Sequence, residues 1–275
     1  MVEWAAMKST IDKRPAVLVF AGLDPTGGAG IQADIEAIGS MGGHALPVAT
    51  AVTAQDTRDV KSCNPVSAIS IIEQARVVLA DIKVDAFKVG LTGSVEAIGA
   101  IHTILQEYAG IPVVIDPVCA SGAGTPLTDD EQMNAMVSLL LPLATVMTPN
   151  TIEARLLTPE ADSLNAAAQE LLSYGPEYVL LTGTHDASPD IVHRLYSDRR
   201  LVQSFSCERL AGSYHGSGCT LSSAIAALLG HGLEPLTAVG EALDYTLGTL
   251  KHATTMGGGQ LIPNRLFRSH RMSGT

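Results

Sequence analysis

VLVFAGLDPTGGAG, at residues 17–30, is the stretch that decides the fold of this chain. Its first half is uniformly apolar, as expected of a strand that is covered on both faces of a sheet. Its second half places Gly27, Gly28 and Gly30 within four positions, which lets the backbone approach a ligand closely and presents N–H donors where a helix begins. Because a helical pattern follows at Ile31–Met41, the stretch predicts the opening strand, loop and helix of an α/β fold.

The alternation of apolar strands and helical segments continues along the chain. Further strands are predicted at Pro47–Ala51, Ala86–Val89, Val113–Ile115, Thr145–Met147 and Tyr178–Leu181. Helices are predicted at Ser67–Asp81, Val95–Tyr108, Asp130–Leu141, Leu164–Tyr174, Cys219–Leu229 and Leu236–Thr255, and an edge hairpin at Val192–Ser197 and Leu201–Phe205. This pattern is typical of βαβ units, so we expect a central, mostly parallel sheet flanked by helices. Ligands of such sheets bind outside the carboxyl ends of the strands.

The composition excludes several classes of protein. The 275 residues include 17 Lys and Arg against 28 Asp and Glu, and the formal net charge of −11 opposes binding to nucleic acid. Four scattered cysteines form no CxxC pair, and the apolar runs are shorter than the roughly 20 residues that span a bilayer. We therefore expect a cytoplasmic protein with no nucleic-acid or membrane partner. No linker interrupts the pattern, which predicts one domain at residues 16–256, an N-terminal extension at 1–15 and a C-terminal tail at 257–275.

Gln55 follows the second predicted strand in the sequence VTAQDT, residues 52–57. A glutamine side chain presents a carbonyl and an NH₂ group side by side, which complements the edge of an aminopyrimidine ring. A solvated loop glutamine would have the same local sequence. The stretch alone therefore leaves open whether Gln55 binds a ligand.

Acidic and amide side chains follow two later strands. Asp116 comes directly after one strand, and Asn150 and Glu153 open the helix after the next. Such a set could hold a hydrated Mg²⁺, which usually takes one or two carboxylates together with substrate phosphate. Asn150 and Glu153 could equally serve as a helix cap and as a favourable charge at the helix N-terminus. Both interpretations can hold at once.

The sequence HGSGCT, residues 215–220, leads directly into an apolar helix. Free N–H groups on its glycine-rich turn, aimed along the helix axis, would form a site for a transferring phosphoryl group. Cys219 lies in the first helical turn, where the pKa of a thiol tends to fall, so a thiolate is one interpretation. A small buried packing residue is the other.

In order along the chain, these motifs resemble the hydroxymethylpyrimidine and phosphomethylpyrimidine kinases of thiamine biosynthesis, within the ribokinase-like superfamily. The resemblance covers residues 17–253 and depends on AGLDPTGGAGIQADIEAIGSMGG, TAVTAQDT, FKVGLTGS, VVIDPV, LLLPLATVMTPNTIEA and HGSGCTLSSAIAA. It implies the three-layer ribokinase-like α/β fold, a pyrimidine substrate, ATP and Mg²⁺ as cofactors, and a homodimer.

The resemblance also implies a role for individual residues. Gly22, Asp34 and Gln55 match the residues that line the pyrimidine pocket, and Leu91 stands where the family usually has a methionine over the ring. Cys219 occupies the catalytic position behind an anion hole formed by Gly216, Ser217 and Gly218. Asp116 and Glu153 match the metal set, while Asn150, Thr182 and His185 are expected to contact the nucleotide.

Three departures from the family pattern affect the expected activity. A lysine is usual at a Lys-Gly-Gly-His segment where this chain has Thr182, and another is usual in the loop that here reads ASGAG, residues 120–124. The asparagine usual after the pyrimidine glutamine is Asp56. Fewer cations stabilise less charge in phosphoryl transfer, so the alcohol is predicted to be a better acceptor than its monophosphate.

The expected reaction is therefore ATP-dependent phosphorylation of the hydroxymethyl group of 4-amino-5-hydroxymethyl-2-methylpyrimidine. The monophosphate is a further candidate acceptor. A pyridoxal or pyridoxine kinase is the nearest alternative, because the same superfamily binds a similar hydroxymethyl heterocycle. A pyrimidine-binding protein without catalytic activity is the alternative from a different functional class.

Overall fold

The computed structural model describes residues 14–184 and 190–269, and in these residues the chain forms one nine-stranded sheet in the order β3-β2-β1-β4-β5-β6-β7-β8-β9. Strands β1, β2, β4, β5, β6 and β7 are mutually parallel, while β3 and β8 run antiparallel to their inner neighbours and β9 runs antiparallel to β8. The α/β prediction with a mostly parallel central sheet is confirmed. The strands are β1 Ala16–Leu23, β2 His44–Gln55, β3 Val60–Pro65, β4 Ala86–Val89, β5 Val113–Ile115, β6 Val146–Met147, β7 Tyr178–Leu181, β8 Asp190–Ser197 and β9 Arg200–Glu208.

Helices cover both faces of the sheet. They are α1 Gly30–Ser40, α2 Ala68–Asp81, α3 Val95–Glu107, α4 Asp130–Ala135, α5 Thr151–Leu157, α6 Leu164–Ser173, α7 Ser217–Gly230 and α8 Pro235–Lys251. The α-helix predicted at Asp130–Leu141 is α-helical only as far as Ala135 and continues as a π-helical turn, Met136–Leu140, and a 3₁₀ turn. None of the helices in the described residues combines the length and apolarity needed to cross a bilayer.

Alternate residues of β1 pack into two separate cores. Leu18 and Phe20 face the core shared with α2, α3, α5 and α6, whereas Val17 and Val19 face the core shared with α1, α7 and α8. Successive side chains of a strand point to opposite faces, so a continuously apolar strand is buried on both sides. This arrangement makes three layers and brings the carboxyl ends of the parallel strands to one edge of the sheet.

Two chain segments go beyond the sequence-based expectation. Strand β3 has no counterpart among the predicted strands, because VKSCNP is mostly exposed and lacks a buried apolar face. It is held by antiparallel pairing with the second half of β2. Residues 257–269, the described part of the predicted C-terminal tail, pack against the domain. Leu261 pairs with Tyr214, and Ile262 pairs with Thr254, so the chain returns to the loop that precedes α7.

Candidate active site

The predicted motifs converge at the carboxyl edge of the parallel strands. The glycine-rich loop follows β1, Gln55 ends β2, Leu91 follows β4 and Asp116 follows β5. Helix α7 begins at Ser217 at the same edge, where its first turn lies against Asp116: a Cβ at Gly218 would be 3.7 Å from Asp116 Oδ2. Motifs that are up to about 200 residues apart in sequence therefore share one site, as the topology of parallel α/β sheets requires.

Asp24 organises the glycine-rich loop. Its carboxylate accepts hydrogen bonds from the N–H groups of Thr26 and Ala29, both at 2.8 Å, and from Thr26 Oγ1 at 3.0 Å. Although burial raises the pKa of Asp24, the hydrogen bonds from His215, Thr26 and Ala29 outweigh it and hold the pKa below its ordinary value. Asp24 is therefore ionised at neutral pH. Asp24 is not among the predicted site residues, although an aspartate followed by proline is a common signal for a turn.

His215 joins this loop to the start of α7. Its Nε2 lies 2.8 Å from Asp24 Oδ2. The contact needs two glycines: a Cβ at Gly28 would lie 2.1 Å from His215 Cδ2, and one at Gly216 would lie 2.1 Å from the Gly28 carbonyl oxygen. Gly216 also has a φ of 75°, a left-handed conformation that favours glycine. The two glycine-rich motifs thus form one packed unit.

Arg265 fixes that unit from the C-terminal segment. Its side chain is fully buried and donates to the carbonyl oxygen of Gly28, to that of Gly27 at 3.3 Å, and to Thr220 Oγ1 at 2.8 Å. One arginine therefore contacts both the loop after β1 and the first turn of α7. No local sequence pattern predicts this role, because the contacts lie 45 or more residues from Arg265.

The first turn of α7 has the features of an anion site. Gly216 is the N-cap residue and has no side chain to cap the first N–H groups of the helix. Ser217 is half-buried and Gly218 is exposed, so the turn is accessible at the sheet edge. Uncapped N–H groups at the positive end of a 14-residue helix favour an anionic ligand. Gly216, Ser217 and Gly218 all lie in this turn, and their role as an anion cradle stays a prediction.

Cys219 follows this cradle and is half-buried. The lowered thiol pKa expected from its position in the first helical turn is wrong. Burial raises the pKa of Cys219 to about 12, and the carboxylates of Asp116 and Asp34 add to the rise, while Lys88 opposes it. Loss of hydration and two negative charges outweigh the helix dipole, so Cys219 is a thiol at neutral pH.

Asp34 lies behind the site rather than on its surface. Neither its side chain nor that of Lys88 is exposed, and Lys88 Nζ lies 2.9 Å from Asp34 Oδ1. Ser223 Oγ donates to the same oxygen at 2.6 Å. Burial alone would lower the pKa of Lys88, but Asp34, Cys219 and Asp116 raise it above its ordinary value. Asp34 thus belongs to a fully buried charge network, whereas the resemblance places it among the residues that line the pyrimidine pocket.

Asp116 and Glu153 form a pair of interacting buried carboxyl groups. Asp116 accepts a hydrogen bond from Ser222 Oγ at 3.3 Å. Burial and the charge of Asp116 raise the pKa of Glu153 to about 8. Burial likewise raises the pKa of Asp116, which Lys88 opposes. Among the described residues no group of three or more His, Cys, Asp or Glu side chains could hold a metal ion, so a cation here would have at most these two carboxylates from the protein.

Asn150 and Glu153 also form a complete capping box at the start of α5. Asn150 Oδ1 accepts from the N–H groups of Ile152 and Glu153 at 2.8 and 2.9 Å, and Glu153 Oε2 accepts from the Asn150 N–H at 2.9 Å. Thr182 lies beside Asn150 through a β-bridge and is buried. The structure thus brings two of the three predicted nucleotide residues together, while His185 lies outside the described residues.

The predicted pyrimidine residues occupy two neighbouring positions. Gly22 and Leu91 are in close contact, since a Cβ at Gly22 would lie 3.0 Å from Leu91 Cδ2. Gln55 donates through Nε2 to Thr53 Oγ1 at 2.8 Å. It borders a cleft of about 340 Å³, which is also lined by Pro25, Thr26, Asp56, Thr57, Arg58, Gly257 and Gly258.

The chain is similar to vitamin kinases in both sequence and structure. The phosphomethylpyrimidine kinase family model matches residues 24–264. A hydroxymethylpyrimidine/phosphomethylpyrimidine kinase from Mycobacterium tuberculosis is 38% identical over 260 residues, which cover 92% of this chain and 94% of the relative. The phosphomethylpyrimidine kinase structure from Clostridium difficile has a TM-score of 0.74 at 33% identity and covers 86% of this chain and 100% of that one. The ADP complex of Bacillus subtilis pyridoxal kinase has a TM-score of 0.85 at 28% identity and covers 94% of this chain and 100% of that one.

Proposed function

The chain belongs to the phosphomethylpyrimidine kinase family, and on that premise we propose that it transfers the γ-phosphoryl group of ATP to the hydroxymethyl group of 4-amino-5-hydroxymethyl-2-methylpyrimidine. One observation carries the assignment of the reaction centre. The uncapped first turn of α7, with Cys219 in it, lies directly against Asp116 at the edge of the sheet where Gln55 also ends its strand. An anion cradle next to a carboxylate and a candidate pyrimidine-reading amide is the set of groups that this reaction needs.

Gln55 is proposed to read the pyrimidine. Its amide can pair with the 4-amino group and the adjacent ring nitrogen, because one side chain offers both a donor and an acceptor. Leu91 and Gly22, which are in contact, would supply an apolar surface for the ring. The absence of a side chain at Gly22 lets Leu91 pack closely against the backbone, since a Cβ there would lie 3.0 Å from Leu91 Cδ2.

Cys219 and the cradle are proposed to act on the transferring group. The N–H groups of Gly216, Ser217 and Gly218 would bind the oxygens on which negative charge is spread in the transition state. Cys219, as a thiol, would orient the hydroxymethyl oxygen of the acceptor. A strong base is not required, because phosphoryl transfer depends mainly on positioning and electrostatic stabilisation.

Asp116 and Glu153 fit a hydrated Mg²⁺. Burial raises the pKa of both carboxyl groups, and the charge of Asp116 raises that of Glu153 further, so a divalent cation between them would offset this unfavourable burial of charge. Mg²⁺ is usually bound by one or two carboxylates, waters and substrate phosphates rather than by a full protein cage. When bound, the ion would neutralise charge on the phosphates of ATP. Asn150, Thr182 and His185 are proposed to contact the nucleotide.

A pyridoxal kinase is the second candidate, favoured by the TM-score of 0.85 to the Bacillus subtilis enzyme. The two activities differ in the acceptor ring rather than in the phosphoryl-transfer groups.

The resemblance further supports a cytoplasmic homodimer, and light scattering of the purified protein tests the dimer.

Coupled measurement of ATP consumption, with product identified by mass spectrometry, tests the proposed reaction. The acceptors are the hydroxymethylpyrimidine, pyridoxal, pyridoxine and a blank without acceptor, each with MgCl₂ and with EDTA. We expect Mg²⁺-dependent turnover with the pyrimidine and a much lower kcat/KM with the pyridine alcohols. A preference for pyridoxal would establish the second candidate. Tight pyrimidine binding without product would instead identify a binding protein.

A further inference from the structure

Arg58 lies in the same cleft as Gln55, on the segment that connects β2 to β3. It lines the 340 Å³ cleft and also a narrow extension of it formed with Ser121, Gly122 and His215. Its Nε donates to the Gly258 carbonyl oxygen at 3.4 Å, and the residue is exposed. A guanidinium group is therefore available between the proposed pyrimidine-reading residue and the loop at residues 120–124.

Hydrogen bonds from three directions hold the segment that carries Arg58. Asp59 accepts from Ser121 Oγ at 2.8 Å and from Thr125 Oγ1 at 2.6 Å, which ties the segment to the loop at residues 120–124 and its neighbour. Asp56 Oδ1 accepts from the N–H groups of Arg58 and Asp59 at 2.8 and 3.0 Å. The N–H of Gln260 donates to the Thr57 carbonyl oxygen at 2.7 Å. These hydrogen bonds fix the backbone of the segment that carries Arg58.

Arg58 is a positive charge in a cleft that is otherwise surrounded by negative charge. Of the described residues that line the cleft and its extension, Arg58 is the only lysine or arginine. Asp56 and Asp59 contribute two carboxylates nearby, and the chain as a whole has a net charge of −11. A phosphorylated acceptor would therefore meet a negative surface unless Arg58 contacts its phosphate. Arginine binds phosphate through two parallel N–H···O hydrogen bonds, which combine charge with directionality.

We propose that Arg58 binds the phosphate of a phosphorylated pyrimidine acceptor and so determines whether this enzyme carries out a second phosphorylation. This inference rests on the proposed function, and it names the residue that distinguishes the monophosphate from the alcohol. The alcohol preference expected from the missing lysines would not hold if another cation, Lys88 or Arg58, took over their role, and Lys88 is fully buried against Asp34. Arg58 borders Gly122 within the loop that lacks one of those lysines, so it can supply the charge from a different segment.

The test compares kcat/KM for the alcohol and for the monophosphate, at saturating ATP and MgCl₂, in wild type and in Arg58→Gln. We expect Arg58→Gln to lower the value for the monophosphate about tenfold to 100-fold, because a charged hydrogen bond is lost, and to change the value for the alcohol less than about twofold. Arg58→Lys should recover part of the loss. Lys61→Gln is the matched control, since Lys61 is exposed on the same segment but lies outside the cleft lining.

The substitution Asp56→Asn provides an independent test of the proposed phosphate contact. Asparagine can still accept the Arg58 and Asp59 N–H groups through Oδ1, while the negative charge is removed. We expect a higher kcat/KM for the monophosphate and a tighter Kd by calorimetry, with little change for the alcohol. Equal losses on both substrates in Arg58→Gln, an unchanged ratio, or a wild type that phosphorylates only the alcohol would overturn the inference. If wild type phosphorylates neither acceptor, the proposed function itself fails.

Discussion

Lys88 Nζ and Asp34 Oδ1 form an ion pair at 2.9 Å in which neither side chain has any exposed surface. The pair joins β4 to α1 and lies beneath Cys219, whose pKa responds to both charges. Ser223 on α7 adds a hydrogen bond to the carboxylate. One buried network thus links three elements that position the site.

Removal of the Lys88 cation from this pair should destabilise the folded protein. Lys88→Met leaves the Asp34 carboxylate buried without a counter-charge, and we expect a loss of about 3–5 kcal/mol in the free energy of unfolding. Urea denaturation measures it. The double variant Asp34→Asn with Lys88→Met removes both charges and should be more stable than Lys88→Met alone. If the double variant is no more stable than the single one, the loss has another cause, such as poor packing of methionine.

Cys219 should matter for chemistry more than for binding. Cys219→Ala leaves the backbone cradle intact but removes the group proposed to orient the acceptor, so we expect kcat to fall by roughly 100-fold with a pyrimidine Kd similar to that of wild type. Steady-state kinetics and calorimetry check the two quantities. An unchanged kcat would make Cys219 a packing residue.

The raised pKa of Cys219 predicts slow alkylation of its thiol at neutral pH. Because burial raises that pKa to about 12, the thiolate is scarce at neutral pH and alkylation by iodoacetamide should be slow. We expect the rate at Cys219, followed by peptide mass spectrometry, to keep rising up to pH 10 without a plateau. A plateau near pH 8 would instead indicate a thiol with an ordinary or lowered pKa.

Gln55 should determine which acceptor binds. Gln55→Ala leaves the amino group and ring nitrogen of the pyrimidine unpaired, at about 1–3 kcal/mol, which raises the pyrimidine KM. The KM for ATP should change little. Gln203→Ala is a suitable control, because Gln203 is exposed on β9 and outside the cleft. Wild-type kinetics in Gln55→Ala would rule out the assignment.

Glu153 should make the metal-free protein less stable at higher pH. Its pKa in the folded state is raised to about 8, whereas the unfolded chain releases this proton in the ordinary range of a glutamate. The folded state therefore binds the extra proton between the two pKa values, and the free energy of unfolding should fall as the pH rises from 4.5 to about 8. Glu153→Gln should flatten this dependence and still accept the Asn150 N–H. Urea denaturation in EDTA measures both slopes, and parallel slopes would contradict the prediction.

Much of the architecture follows from local sequence. The uniformly apolar segments within β1, β5 and β7 predicted buried parallel strands, because only strands covered on both faces need no polar side. The glycine-rich loops predicted tight approaches, and Gly28 and Gly216 do contact one another's segments. The order of strand and motif along the chain then predicted that the motifs meet at one sheet edge.

The pairing of side chains was decided by the tertiary structure. Asp34 was assigned to a pocket wall by its place in a motif, yet Lys88, 54 residues away, holds it in the core. Arg265 had no periodic or motif signal, because its partners come from distant segments. Arg58 directly follows the VTAQDT motif, but only the structure shows that it lines the same cleft as Gln55. The pKa of Cys219 likewise depends on burial and on carboxylates that β5 and α1 bring near. Periodicity records which face of an element is buried, whereas distances and desolvation arise only when the elements pack together.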